Sequence, residues 1–191
     1  GGGWSYTFTN LDTLQDGTLT LQAAATDSFD NPATASDANL KDTLATLEIQ
    51  ELPTGTSDDV INADEQSAAP ISGTSSGIEA GRDVAVRVSD AVTDIDLTAT
   101  VQAGGGWTLQ ADISTLLDGP ITVSASATDA VGNPASDSYG FDKDTLASVT
   151  IDAVATASAD DLVNQFEQTS VTLTGTTVGV EAGQTLQLNL V

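Results

Sequence analysis

Along most of this chain, hydrophobic and polar residues take turns. Leu47 and Ile49 flank Glu48, and Val84, Val86 and Val88 alternate with Ala85 and Arg87. The same period runs through Leu97, Ala99 and Val101, through Trp107, Leu109, Ala111 and Ile113, and through Ile121, Val123, Ala125 and Ala127. A period of two gives one dry face and one wet face, which predicts β-strands. Clusters of Gly, Asp, Asn and Pro punctuate them. The pattern predicts strands at 45–51, 69–74, 83–88, 96–102, 107–113, 120–128 and 136–142. Residues 114–117 carry a weak helical pattern, one turn ahead of Asp118-Gly119. That many short strands in about 100 residues predicts an all-β fold, an antiparallel sandwich of the immunoglobulin-like kind. The Ala residues on the inward faces predict a thin core.

The chain also repeats itself. Gly1-Gly2-Gly3-Trp4 returns as Gly104-Gly105-Gly106-Trp107, and Asp16-Gly17 as Asp118-Gly119. Thr26-Asp27 and Asn31-Pro32 return as Thr128-Asp129 and Asn133-Pro134, and Lys41-Asp42-Thr43 as Lys143-Asp144-Thr145. Asp58-Asp59 and Asn62 return as Asp160-Asp161 and Asn164, and Glu79-Ala80-Gly81 as Glu181-Ala182-Gly183. From Asp16 onward the spacing is 102 residues. That is too long for a solenoid turn and suits a whole domain. The predicted organisation is one complete repeat at 43–144 between two partial copies. Residues 1–42 form the second half of a preceding repeat, and residues 145–191 the first half of a following one. Together the halves lack the segment corresponding to 90–103. The expectation is therefore an excerpt of a longer chain, or terminal pieces that complement one another between neighbouring copies.

Asp142-Lys143-Asp144-Thr145-Leu146-Ala147 and its earlier counterpart Lys41-Asp42-Thr43-Leu44-Ala45 lie between strand-like runs. Neither contains Gly or Pro, so neither reads as a flexible tether. Each is predicted to be a joint between stacked domains.

Charge narrows the partners. With 28 acidic and 4 basic residues the formal charge is −24. Nucleic acid and anionic membranes need clustered Lys and Arg, so both are excluded, while cations are favoured. The chain has no Cys and no His, so thiolate sites, disulfides and the commonest general base are missing. No apolar run approaches the roughly 18 residues that would span a bilayer. Asp94 and Asp96 are better read as solubilising edge residues than as a catalytic pair. The sequence predicts no enzyme.

Calcium takes six to eight oxygen ligands, and crowded carboxylates repel unless neutralised. Asp58, Asp59, Asn62 and Glu65 bring such oxygens together within eight residues, and Asp160, Asp161, Asn164 and Glu167 do so again. The spacing is not that of an EF-hand. The alternative is a solvated acidic loop in which Asn62 bonds its own backbone. In a sandwich of this topology the loop at 53–68 lies at the trailing end of its domain, near Asp142 and Asp144. The loop at 129–133 lies at the leading end, near Asp42. Calcium is thus expected at the trailing joint from Asp58, Asp59, Asn62 or Glu65 with Asp142 or Asp144, and Glu181 of the next copy adds to it. The leading set is Asp42, Glu79, Asp129 and Asn133. For Asp129 and Asn133 a turn held by side-chain bonds stands beside that reading, and for Glu79 and Glu181 a solvent-facing turn.

The stretches DDVINADE at 58–65, ISGTSSGIEAG at 71–81, GGGWTLQ at 104–110, ATDAVGNPA at 127–135 and DKDT at 142–145 resemble the bacterial immunoglobulin-like repeats of giant type I-secreted adhesins, the RTX-type and biofilm-associated surface proteins. The order and spacing of these motifs, met twice, carry the resemblance. Such repeats commonly have Pro soon after the linker Asp-Thr, whereas Leu146-Ala147 follows here. The resemblance implies a tandem array at the bacterial cell surface, anchored in the outer membrane through another region and projecting a distal binding domain. It implies calcium at the joints, and neighbouring repeats as end-to-end partners. The alternative function is a carbohydrate- or protein-binding module. For that, Trp4 and Trp107 would have to be exposed, but Trp107 shares the face of Leu109 and Ile113 and is predicted to be core.

Overall fold

The run Gly119–Thr128 shows why alternation becomes a sandwich here: Ile121, Val123, Ala125 and Ala127 are buried and the residues between them are exposed. The computed structural model describes residues 2–52, 59–155 and 162–190. In chain order its strands are β1 (Gly17–Thr26), β2 (Pro32–Lys41), β3 (Thr46–Ile49), β4 (Val60–Ile61), β5 (Ala69–Ser76), β6 (Asp83–Ser89), β7 (Asp94–Thr100), β8 (Gly106–Ala111), β9 (Gly119–Thr128), β10 (Pro134–Lys143), β11 (Ser148–Ala155) and β12 (Thr172–Val178). Strands β3 to β10 build two sheets, ordered β3-β5-β8 and β4-β10-β9-β6-β7. Their inner faces meet over Ile71, Val84, Val86, Val88, Trp107, Ile113 and Val123. This is the strand count and layering of an immunoglobulin-like sandwich.

The predicted strands are all present, with ends shifted by a few residues. One strand was not foreseen. After β3 the chain crosses to the other sheet, where β4 pairs in parallel with the end of β10, Val60 opposite Asp142 and Ile61 opposite Lys143. Two residues are too few to display alternation, so the pattern alone predicts a loop over 53–68. The crossing brings Asp59, just ahead of β4, to the last residues of β10. It is sealed by backbone bonds from the Asp142 N–H to the Asp59 carbonyl (3.0 Å) and from the Asp144 N–H to the Ile61 carbonyl (3.0 Å).

Trp107 fills the middle of the core and is 2% exposed. Among the described residues its buried indole N–H has no acceptor. Gly73 stands opposite Trp107 in the β5–β8 ladder, and a Cβ there would run into the indole ring and the Glu48 carbonyl.

The flanking segments copy parts of this architecture. The β1–β2 hairpin repeats β9–β10, and β11–β12 repeats β3–β5. Their inward positions are open. Ile151 is 64% exposed where its counterpart Ile49 is 6%, and Leu173 is 40% exposed where Ile71 is fully buried. Leu21 is likewise exposed where Val123 is buried.

Gly73→Ala is expected to destabilise the central repeat by about 1–3 kcal/mol through overpacking against Trp107. Denaturant unfolding followed by Trp fluorescence checks this. An unchanged midpoint would mean that the glycine is not a packing requirement.

Candidate functional site at the repeat joints

Strand β10 ends in Asp142 and Lys143, with Asp144 just beyond, and its period of two sends Lys143 inward. Lys143 is 4% exposed, while Asp142 and Asp144 face solvent. A buried ammonium needs partners. The Lys143 Nζ donates to the Leu116 carbonyl (2.7 Å) and to Asp118 Oδ1 (3.2 Å). The Asp118 carboxylate then reaches the linker. Its Oδ2 accepts the Thr145 N–H (3.0 Å), and its Oδ1 accepts the Thr145 hydroxyl (2.9 Å). The loop that supplies Leu116 is tied down in turn, because the Leu117 N–H donates to Asp90 Oδ2 (2.7 Å).

The arrangement occurs a second time. Asp16 accepts Lys41 Nζ (2.7 Å), the Thr43 N–H (2.8 Å) and the Thr43 hydroxyl (2.8 Å). The Lys41 ammonium and the Thr43 donors hold the Asp16 carboxyl down at about 2. The Thr145 backbone N–H, with its hydroxyl and the Lys143 ammonium, pulls Asp118 below the usual carboxylate range against the effect of burial.

The linker is approached from the other side by the turn after β5. Gly77 has φ +75° and lies against the Leu44 carbonyl. Gly179, its counterpart, has φ +67° and lies against the Leu146 carbonyl. A Cβ at either place would collide with that carbonyl, and the positive φ disfavours other residues.

At the leading end of the central repeat, Asp129 is 2% exposed and closes its own turn. Its Oδ1 accepts the N–H groups of Val131 (3.0 Å), Gly132 (2.7 Å) and Asn133 (2.8 Å), and its Oδ2 accepts Asn133 Nδ2 (2.6 Å). Burial alone would raise the Asp129 pKa; the converging donors, Asn133 foremost, outweigh it and lower it. The Asn133 amide also donates to the Asp42 carbonyl (3.3 Å), with the Asp42 carboxylate at 3.5 Å, and so crosses the joint. Glu79 Oε2 accepts the Ala130 N–H (2.9 Å). Of the four residues expected at this end, Asp42, Asn133 and Asp129 are joined by direct hydrogen bonds, and Glu79 reaches the same turn through the Ala130 backbone.

At the trailing end, Asn62 and Glu65 cap one another. The Asn62 N–H donates to Glu65 Oε2 (3.1 Å), and Asn62 Oδ1 accepts the Asp64 N–H (2.9 Å). Asn164 and Glu167 repeat this, with Asn164 N–H to Glu167 Oε2 at 3.1 Å. That is the reciprocal logic of a capping box. Asp59 sits at φ +57° and accepts the Tyr139 hydroxyl (2.6 Å), which pushes the phenol up to about 12. Asp142, Asp144 and Glu181 are exposed. Asp58, Asp160 and Asp161 lie outside the described residues.

Calcium demands several oxygens converging on one point. The donor chemistry suits a hard cation. Among the described residues, however, no three acidic side chains converge to hold a metal. Asn62, Glu65, Asp129 and Asn133 have oxygens or amides engaged in turns and caps, as the hydrogen bonds above show. The functional residues missed in the sequence are Asp16 and Asp118, with Lys41 and Lys143. In the sequence they read as turn and linker letters. A signal was present: two of the four basic residues recur at equivalent positions. Trp107 offers no sugar platform, since it is buried. Among the described residues no helix is long and apolar enough to cross a membrane.

A chain of antiparallel sandwich repeats with a built joint between them defines the class: a tandem immunoglobulin-like array. No family model and no curated protein matches the chain. Similar solved structures are tandem repeats and immunoglobulin-like domains of large adhesion proteins. A tetra-tandem repeat from the extending region of a large adhesion protein is 28% identical, with a TM-score of 0.49, over 91% of this chain and 48% of that one. A bacterial immunoglobulin-like domain from the M. primoryensis ice-binding adhesin is 28% identical, with a TM-score of 0.40, over 53% of this chain and 97% of that one. A Ca2+-stabilized adhesin from an Antarctic bacterium is 24% identical, with a TM-score of 0.41, over 84% of this chain and 40% of that one. The chain thus spans about half the length of the first of these structures.

A depressed carboxyl stabilises the folded form above its unfolded pKa and loses that contribution as pH falls through the folded value. The Asp16 grip on Thr43 is therefore expected to persist through pH 3.8, the ordinary value, and to release near pH 2. The amide shift of Thr43 followed during acid titration reads this. A midpoint near 4 would contradict it.

Proposed function

We propose that this chain is a structural extender of a large bacterial cell-surface adhesin, a spacer whose repeats run end to end and project a distal binding domain. The observation that carries the reading is the joint itself. The same linker is gripped in the same way at two equivalent places, by Asp16 on Lys41 and Thr43 and by Asp118 on Lys143 and Thr145. A protein that needs only to fold has no use for a linker whose direction is fixed repeatedly. A spacer does. The assignment to adhesins rests on the ordered motifs in the sequence, and with it come secretion of the RTX type, a role in biofilm formation, and residence outside the cell with anchorage elsewhere in the protein. The domain division that goes with it is 1–42, 43–144 and 145–191. Exposure of Ile151, Leu173 and Leu21, whose counterparts are buried in the central repeat, supports that division.

Calcium stiffens the joint in this reading. Asp142 and Asp144 project from the trailing end beside the Asp59 backbone. The turn of the next repeat that lies against the linker at Leu146, through Gly179, carries Glu181 two residues on. The carboxylates repel when bare and are drawn together when a divalent ion supplies the charge. Mass action then favours the straight arrangement where the ion is abundant.

Calorimetric titration is expected to give a calcium dissociation constant of about 10⁻⁴–10⁻³ M, the range of extracellular modules. Asp142→Asn combined with Asp144→Asn should weaken it. Small-angle scattering should show a larger maximum dimension with calcium than with chelator. Equal heats for calcium and magnesium, with an unchanged dimension, would defeat the calcium part of this reading.

A further inference from the structure

The strongly acidic chain keeps only 4 basic residues, and two of them, Lys41 and Lys143, occupy equivalent positions in the linkers. Both form the same ion pair, at 2.7 Å to Asp16 and 3.2 Å to Asp118. Their side chains are 13% and 3% exposed, whereas those of Arg82 and Arg87 are 41% and 53% exposed. Burying an ammonium is costly unless it is paired and hydrogen-bonded. Lys143 meets that condition only where it stands, between the Leu116 carbonyl and Asp118. Asp118 without the ammonium would lose its one cationic partner in a chain of net charge −24. With it, the carboxylate holds both the N–H and the hydroxyl of Thr145.

We propose that Lys41 and Lys143 are counter-cations built into the joints, which fix the direction in which each linker leaves its domain without any dissolved ion. They are positioning residues acting through Asp16 and Asp118. The inference deepens the extender reading by dividing the joint in two. The near side, from domain to linker, is held by the chain's own ammonium through its ion pair with Asp16 or Asp118. Only the far side, from linker to next repeat, is left for a dissolved cation to stiffen. Loss of calcium then leaves a rod hinged at one side of each joint, not a loose string.

The test is amide hydrogen exchange and ¹⁵N relaxation on the full chain in chelator. Wild type is expected to keep Thr43 and Thr145 protected and residues 144–147 ordered. Lys143→Met should speed exchange at Thr145 by about tenfold or more, while Thr43, with its own clamp intact, stays unchanged. Exchange in the β6–β9 ladder is the control for a merely structural effect, and it should stay as in wild type. If Lys143→Met does not fold, Lys41→Met reads the same effect at Thr43, because Lys41 lies outside the central core. Thr145 exchange equal to wild type in Lys143→Met would overturn the proposal. So would exposure of both threonine amides in wild type by chelation alone. A chain that shows no response to calcium yet loses Thr145 protection in Lys143→Met would sustain the clamp and defeat calcium stiffening, so the two readings fail separately.

Discussion

The joints depend on one carboxylate geometry. An Asp just ahead of a strand reaches the backbone of a linker 27 residues downstream and is paired there with a lysine from the strand that leads into that linker. Each partner is needed by the others. The ammonium could not be buried without the carboxylate, and the carboxylate could not be tolerated among so many like charges without the ammonium. The linker amide would otherwise bond water and swing. A net charge of −24 makes this a severe constraint.

The sandwich behind the clamp supplies rigidity. Strand β9 starts one residue after Asp118, and β10 ends at Lys143, so both clamp partners are extensions of neighbouring strands in one ladder, with Lys143 opposite Gly119. The hydrophobic faces of β9 and β6 hold that ladder against Trp107 and its sheet. The linker's direction is therefore inherited from the core. The Gly77 and Gly179 turns add a second wall on the other side, available only because these residues have no Cβ.

Much of this was legible in the residues. Alternation located the strands because one-sided burial leaves a strict period of two. It placed Trp107 in the core for the same reason. The internal repeat located the linkers. The short parallel strand at Val60–Ile61 was not legible, since it is made by tertiary crossing and not by local pattern. The clamp was legible only in part. Asp118-Gly119 reads as a turn because Asp-Gly always does, and nothing local says that the carboxylate faces a residue 27 positions away. The acidic clusters are ambiguous for a related reason. Asn62, Glu65 and Asp129 have the chemistry of cation ligands and of backbone caps alike, and only geometry shows their oxygens engaged by N–H groups. In a joint of this kind, acids do two different jobs, and sequence alone does not sort them.

The chain lacks Cys, so a pair of spin labels can be placed at will. Labels at the exposed positions Thr20 on β1 and Thr98 on β7 straddle the first joint. Distances between them, measured by pulsed electron resonance with calcium and with chelator, test most directly whether the joint has a direction of its own. The account predicts a defined distance maximum in chelator that narrows when calcium is added. A broad, featureless distribution in both conditions would contradict it.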